Sequence, residues 1–402
     1  MSEPAAFSYD ALLSKAAAAP VNIGPRPKRG KYDFAVAYPD PASLPLEELT
    51  DALAQALSEE GRDLAIYAHP QGYLPLREWI AEKLRNERGI NITADDLILG
   101  DGSGQPIHML IETLVDPGDV VITEDFVYSG TLNQLRRFHA DMRGVVTDGE
   151  GMLPDSLEQV IQQALAQGKP PKFIYTVPSH QNPQGWTMSL ERRQALVALS
   201  QQYNVPVMED DCYVDLRFEG ESVPSIHSLD GSGRVMYVSS FSKVIAPGMR
   251  LGYMTAQRDL LARALGAKSG GSVNTFAAFA VHRYATGQLA GHVEEINDIQ
   301  RAKRDAMLAA LQEHFGDTGA TWSKPQGGLF IWLQLPEGAD AVAARDKVFD
   351  AVDVGYLPGP GFSPDGVSGR NCLRLCFGYN TPAEIGEGIT KLAGAFRAEG
   401  MI

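Results

Sequence analysis

The sequence predicts an α/β protein: a mainly parallel sheet with helices on its faces, followed by a smaller α+β lobe. Three observations predict it. From about residue 46 to 285, short apolar runs alternate with amphipathic stretches, the order in which strands and helices build a parallel sheet. After about residue 290 the alternation gives way to one long polar helix and two β-rich runs with a helix between them. Several of the apolar runs also finish in glycine, acidic or hydroxyl residues. That is the edge at which an open α/β sheet binds its ligand.

The elements follow in order. "MSEPAAFSYDALLSKAAAAP" has no basic stretch followed by an apolar one, so it is not read as a signal peptide. "APVNIGPRPKRGKYDF" is rich in Pro, Gly and Lys and reads as an irregular lead-in. "DLILG", "VVIT", "KFIYTV", "VPVME", "VMYVSS" and "LGYMT" read as short buried strands. Between them, "LREWIAEKLRNER" and "LERRQALVALSQQY" have helical apolar spacing. The long helix is "HVEEINDIQRAKRDAMLAALQEHF", and its mixed-charge run "EEINDIQRAKRDAML" reads as a solvated face. "GGLFIWLQL", a helix, "CLRLCF" and a last helix complete the lobe. Trp322, Phe330 and Trp332 recur at strand spacing and are expected in the core. The division is an N-terminal segment over 1–45, a large domain over 46–285 and a small domain over 286–402.

Composition narrows the function. In 402 residues, 44% are hydrophobic and 21% charged, which are globular values. A formal charge of −15 argues against non-specific binding to nucleic acid or anionic membranes, so an anionic ligand must be held by local donors. Cys212, Cys372 and Cys376 are odd in number with no CxxC pair. They are expected to be small core residues in a reducing, cytoplasmic setting. The eight histidines show neither HxxxH nor HExxH spacing, so no metal site is expected. No run approaches ~18 apolar residues, so no membrane span is expected.

The strand ends "LGDGSGQ", "YTVPSHQNPQG", "MEDDCY" and "SSFSK" bring a Gly-rich turn, Asn182, Asp210 with Tyr213, and Lys243 to one edge. In "GDGSGQPIHMLIETLVDPGD", Gly100, Gly102 and Gly104 make a tight turn, and Ile107, Leu110, Ile111 and Leu114 then recur at helical spacing. Pro106 fits a first helical turn. A helix opening at Ser103 or Gly104 offers free N–H groups to a phosphate. Two rival readings stand beside it: a dinucleotide fingerprint, whose GxGxxG differs from the GxGxG here, and a purely structural turn. In "SSFSKVIAPGMRLGYM", Lys243 follows the apolar run "VMYV". A buried ammonium is costly unless it is paired or chemically used. Either the run is shallower than it looks or this lysine does chemistry. Ser240, Ser242 and Arg250 are donors suited to a phosphate, which arginine grips bidentately.

A lysine beside a phosphate cradle points to a Schiff base with pyridoxal 5′-phosphate (PLP). "SSFSKVIAPGMRLGYM" resembles the S-x-S-K-x-x-x-x-G-x-R-x-G motif of the fold-type I PLP-dependent aminotransferases of class I/II. Motif order is similar from about residue 60 to 380, nearest to the subgroup of 2-aminoadipate, kynurenine and aromatic aminotransferases. The resemblance implies a large domain with a mainly parallel seven-stranded sheet and a smaller α+β domain, with residues 1–45 capping the site as part of the small lobe. It implies that Lys243 carries the cofactor and shuttles the proton, and that Asp210 pairs with the pyridine nitrogen. Strand alternation points the neighbouring Asp211 elsewhere. Asn182 and Tyr213 resemble the donors to the cofactor's O3′, and Tyr128 in "EDFVYSG" resembles the aromatic against the ring. Ser103, Gly104, Ser240, Ser242 and Arg250 resemble the phosphate cup. Tyr67, in "YAHPQGYLPLR", resembles a tyrosine that reaches the neighbouring subunit's phosphate, which implies a homodimer with shared sites. Arg374, in "NCLRLCF", resembles the arginine that binds the substrate α-carboxylate, beside Asn182. Against that role stands an arginine facing solvent from an edge strand; "GGLFIWL" and "VGYLPGPGF" precede it in family order and favour the carboxylate role.

The implied activity transfers the amino group of an L-α-amino acid (neutral, aromatic or 2-aminoadipate-like) to a 2-oxo acid such as 2-oxoglutarate. Two alternatives are kept: another PLP reaction on the same scaffold (lyase, oxidase or decarboxylase), and a MocR-type effector-binding domain. Only about 30 residues precede "YDFAVAYPD", with no basic recognition helix, which argues against the second. The chain also departs from the family. "DFVY" has no proline before Tyr128, Cys212 stands where many relatives have proline, and "VAYPDP" replaces a GGxP segment. "FSYDALLSKAAAA" has Lys15 but no arginine for a second carboxylate, which argues against an acidic side chain. Arg26, Lys28 and Arg29 could substitute but read as a solvated basic loop.

Overall fold

The computed structural model describes residues 7–14, 24 and 28–402. Seven strands form the main sheet: β1 Ile98–Gly100, β2 Val120–Glu124, β3 Asp141–Val145, β4 Phe173–Thr176, β5 Val207–Asp210, β6 Val235–Ser240 and β7 Gly252–Thr255. Their order is β1-β7-β6-β5-β4-β2-β3. β2 to β6 pair in parallel. β7 runs antiparallel to both β6 and β1. Residues 241–251 explain this reversal, because a parallel crossover needs a dozen or more residues and usually a helix. β2, β4, β5 and β6 are buried along their whole length. Burial on both faces makes such strands read as continuous apolar runs. The six runs expected as strands are strands. The seventh, β3, was not read, because "DMRGV" is a half-exposed edge strand with no apolar run.

The helices fall where apolar spacing put them. Leu74–Arg88 and Leu190–Tyr203 flank the sheet, the second capped by Ser189, whose hydroxyl accepts from Arg192 N–H. Gly104–Leu114 opens directly after the Gly-rich turn and buries Ile107, Met109, Leu110 and Ile111. A second sheet follows: β8 Thr321–Trp322, β9 Phe330–Gln334, β10 Leu357–Pro358 and β11 Cys372–Cys376, in the order β8-β9-β11-β10, all antiparallel. Its helices include Leu289–Phe315, which begins three residues before the expected run, and Pro382–Ala398, which opens on a Thr381/Glu384 capping box.

Two expectations change. The lead-in is not irregular throughout: Tyr32–Asp33 pairs in parallel with Val354–Gly355 and so joins the small lobe. The mixed-charge helix is not solvated on every face. Lys303 and Arg304 are buried, Lys303 bonding Asp40 at 2.8 Å and the Gly378 carbonyl at 3.0 Å, and Arg304 bonding the Pro325 carbonyl and Glu219. Long cationic stems bury against apolar surface while their heads reach acceptors. Phe330 and Trp332 are core residues as expected, and Trp322 is partly buried against that core. Phe330 is also a wall of the site described next.

Candidate active site

The C-terminal ends of β4, β5 and β6, the turn after β1, and the segment 35–38 enclose a cavity of about 340 Å³. This lies in the range of small-molecule sites, about 300–1,000 Å³. Ser103, Gly104, Tyr128, Asn182, Asp210, Tyr213, Ser240, Ser242, Lys243, Arg250 and Arg374 all line it. Tyr67 does not. It is 103% exposed, on the loop ahead of helix Leu74–Arg88.

One end of the cavity is built to hold an anion. The helix Gly104–Leu114 points its free N–H groups and its positive end there. Ser240 and Ser242 are linked hydroxyl to hydroxyl at 2.8 Å, and the Ser242 N–H donates to Ser240 Oγ. Arg250 takes a left-handed backbone, φ 51°, and donates to the Asp101 carbonyl at 2.7 Å. Gly102, at φ 68°, is required at this point: a Cβ there would meet Arg250 Nη2 at 2.6 Å.

The middle of the cavity carries the titratable groups. Lys243 is buried and donates to the Ala37 carbonyl at 2.9 Å. Burial holds its pKa below the ordinary lysine value, Cys376 and Cys212 oppose this, and the charges of Arg374 and Arg250 add to it. Asp210 ends β5, where burial pushes its carboxyl up. Donors from Cys212 at 2.9 Å and Tyr175 at 2.7 Å hold it down. Asp211 faces elsewhere, as alternation requires, and pairs with Arg88 at 2.9 Å. Tyr128 ends the loop before helix Ser129–Arg137, and Gly130 leaves room for its ring, which a Cβ at 130 would strike. Cys212 is not the core residue expected: it is half-buried and lines the cavity, whereas Cys372 and Cys376 are buried.

Arg374 lies on β11, opposite both Trp332 and Leu357. It is buried rather than solvent-facing. Nη1 donates to Asn182 Oδ1 at 2.9 Å and Nη2 to the Ala35 carbonyl at 2.5 Å. Its guanidinium lies 4.5 Å from the Phe330 ring centroid and 4.9 Å from that of Phe362. Arginine only donates, so Asn182 must turn its oxygen to Arg374, which leaves its amide to donate to Tyr213 at 3.1 Å. Arg374 Nε is buried with no partner, a donor in need of an acceptor at the cavity wall. Arg29 is exposed on an irregular segment, as expected of a solvated loop. It pairs with Asp33 at 2.8 Å, and its guanidinium lies 4.7 Å from the Tyr38 ring centroid and 4.1 Å from that of Tyr379. Lys28 is exposed, and Lys15 and Arg26 lie outside the described residues.

Sequence reasoning missed the carbonyls of Ala35 and Ala37, the pocket wall of Val36, Tyr38 and Leu357, and Tyr175 behind Asp210. Only Tyr175 left a signal, as a hydroxyl-bearing residue at a strand end one residue pair before the "PSHQNPQG" loop.

An anion cup, a buried lysine with a lowered pKa, a buried carboxylate at a strand end and an unsatisfied guanidinium fit PLP and an amino acid together. Fold and cavity define a PLP-dependent transferase of fold type I. The chain belongs to the class I and II aminotransferases, whose family model matches residues 35–392. It is a PLP-dependent aminotransferase. It is 34% identical to aromatic-amino-acid aminotransferase 1 of Thermococcus litoralis, over 90% of this chain and 87% of that one. It is 30% identical to the 2-aminoadipate transaminase of Thermus thermophilus, over 92% and 90%. The crystal structure of Pyrococcus horikoshii kynurenine aminotransferase superposes with a TM-score of 0.87 at 34% identity, covering 91% of this chain and 90% of that one. These relatives match the subgroup to which the motifs pointed.

Proposed function

We propose that this aminotransferase takes its amino group from a neutral or aromatic L-α-amino acid and passes it to a 2-oxo acid such as 2-oxoglutarate. The observation that carries the reading is Arg374, buried, backed by two aromatic rings and with Nε unsatisfied. A planar two-donor fork matches an α-carboxylate. Around it the cavity is lined by Ala35, Val36, Ala37, Tyr38 and Leu357. Among the described residues its cations are Lys243, Arg250 and Arg374, and each already has an anion or a reaction to serve. A second substrate carboxylate finds no further cation in that wall, and Arg29, which lies over the lining residue Tyr38, is held by Asp33. The aromatic and kynurenine relatives support the same substrate class, whereas the 2-aminoadipate relative points to an acidic donor, which the comparison below separates.

The bound cofactor supplies an electron sink for the carbanion formed at the substrate Cα. The chain's own residues do the rest. Arg374 holds the carboxylate so that the Cα–H bond, rather than the carboxylate bond, is the one presented for cleavage. Lys243 would hold the cofactor and, as a free amine, would take up and return the proton of the substrate Cα. Its lowered pKa favours the neutral amine this needs. Asp210 keeps the ring nitrogen protonated. Asn182 and Tyr213 would donate to O3′, Tyr128 would pack against the ring, and Ser103, Gly104, Ser240, Ser242 and Arg250 would hold the phosphate. Tyr67 serves the phosphate of a second copy in a homodimer with shared sites. The large domain spans 46–285 and the small one 286–402, with residues up to 45 as a cap. Among the described residues no helix is long and apolar enough to cross a membrane, and the enzyme works in the cytoplasm.

A single-turnover comparison tests the substrate class. Mixed with PLP-loaded enzyme, phenylalanine and leucine should convert the cofactor to pyridoxamine phosphate at least ~10-fold faster than 2-aminoadipate. Preference for 2-aminoadipate overturns the neutral-donor reading. Turnover that regenerates the aldehyde form while releasing ammonia or carbon dioxide favours a lyase or decarboxylase.

A further inference from the structure

Asp210 is the cavity's one strand-end carboxylate without a cation: among the described residues it forms no salt bridge, although Asp211 beside it has Arg88. What it has is two neutral side-chain donors, one on each oxygen, beside the backbone N–H of Cys212. The Tyr175 hydroxyl donates to Oδ2 at 2.7 Å. The Cys212 thiol donates to Oδ1 at 2.9 Å. Tyr175 comes from β4, the strand paired in parallel with β5, and is completely buried. Cys212 lines the cavity and Tyr175 does not, so Oδ1 is the oxygen on the cavity side. The other titratable groups around Asp210 are Tyr128, Tyr213 and Asp211, with Lys243 beyond the thiol. None of these donates a hydrogen bond to it.

We propose that Tyr175 and Cys212 are positioning residues that clamp Asp210, Tyr175 fixing the rotation of the carboxylate and Cys212 holding the cavity-side oxygen in place for the cofactor's ring nitrogen. The inference rests on the assignment of Asp210 to that nitrogen. Chemistry supports the clamp at each end. A carboxylate in an apolar setting keeps its charge only if donors satisfy it. Burial pushes the Tyr175 phenol and the Cys212 thiol well up, so both remain protonated donors and neither becomes an anion that would repel Asp210.

The test is binding of pyridoxamine phosphate to the full-length protein, titrated by cofactor absorbance between about pH 5 and 9. This cofactor form needs no covalent link to Lys243, so the profile reports the ring and phosphate contacts. Tyr175→Phe keeps the ring and removes one donor. Losing a donor to the charged form raises the Asp210 pKa. Affinity should then fall about tenfold at neutral pH, and the acid limb should move to higher pH by about one unit, the equivalent change. Cys212→Ala should weaken binding about threefold, and Cys212→Ser, which restores an O–H donor, should recover it. If Tyr175→Phe binds with the wild-type affinity and pH profile, the clamp is overturned; if that variant does not fold, wild-type binding by Cys212→Ala overturns it. Asp210→Asn is measured alongside. Weak, pH-independent binding upholds the assignment of Asp210, so a clamp that fails in that background fails alone. Wild-type binding by Asp210→Asn removes the assignment itself.

Discussion

Arg374 shows what a single side chain decides here. Its charge is buried, Nη1 and Nη2 donate to Asn182 and the Ala35 carbonyl, and Nε has no partner. Arg374→Lys keeps the charge but not the fork. Losing one charge-assisted contact costs about 1.5–3 kcal/mol, so kcat/KM should fall roughly tenfold to a hundredfold. The loss should be equal for phenylalanine and leucine, because the α-carboxylate is common to both. A loss confined to one donor contradicts the assignment. The same charge helps hold the Lys243 pKa down. Arg374→Met should therefore let that pKa rise and shift the acid limb of PLP loading to higher pH, while Arg374→Lys leaves the limb in place. Lys243 and Asp210 were legible in the sequence because polar side chains at the ends of buried apolar runs stand out, and Arg374, in the middle of its strand, only through the family order of the segments before it. The carbonyls of Ala35 and Ala37 were not, since backbone acceptors carry no side-chain signature. Tyr175, inside "KFIYTV", read as one more aromatic of a buried strand.

Among elements, the loop 178–185 depends on a carboxylate outside the cavity. Glu124 ends β2, fully buried, and accepts from the Thr176 hydroxyl at 2.5 Å, the Val177 N–H at 3.0 Å and Gln181 Nε2 at 3.0 Å. Gln181 cannot flip to suit a different partner, because its Oε1 already accepts from the Gln184 N–H at 2.7 Å. Glu124→Ala removes the acceptors and leaves the buried donors of Val177 and Gln181 short of a partner, which costs about 1–3 kcal/mol. Urea unfolding should show that loss at neutral pH, with weaker amino-acid binding as Asn182 loosens. A change within about 0.5 kcal/mol contradicts the account. Burial pushes the Glu124 carboxyl up to about 8. A folded pKa above the unfolded one gives stability that is full below the unfolded pKa and lost as pH rises through about 8. Glu124→Gln should flatten that decline. The six buried strands were legible for the reason β3 was not: burial on both faces writes a continuous apolar run, while a half-exposed edge strand such as "DMRGV" writes none. Lys303 and Arg304 misled in the other direction, as charges whose acceptors lie far away in sequence, at Asp40, Gly378 and Glu219.

The whole molecule leaves one face uncovered. Leu46 and Phe276 are exposed along an apolar groove with Leu49, Leu53 and Met249, and the groove runs up to Asp101 and Arg250 at the anion cup. Ile66 and Tyr67 are exposed as well, Tyr67 completely. A second copy seated there would cover these side chains and bring Tyr67 to the partner's cup. Light scattering should give the mass of a dimer. Complementation tests the sharing of sites. Tyr67→Ala and Lys243→Ala chains should each be impaired as homodimers. Their heterodimer restores one site with both residues intact, so activity should return. Verified heterodimers that stay as impaired as the parents contradict shared sites. In the sequence only the motif at Tyr67 points to such a pairing; the groove was not legible, because its residues come from segments more than 200 positions apart.

The central claim is that the cofactor is attached to Lys243, and borohydride trapping tests it most directly. Reducing the PLP-loaded enzyme makes the lysine–cofactor bond permanent, and peptide mass mapping then locates the modified residue. The peptide carrying Lys243 should hold the pyridoxyl phosphate, and Lys243→Ala should hold none. A label on another lysine, or an unmodified Lys243 in enzyme that has bound PLP, contradicts the account.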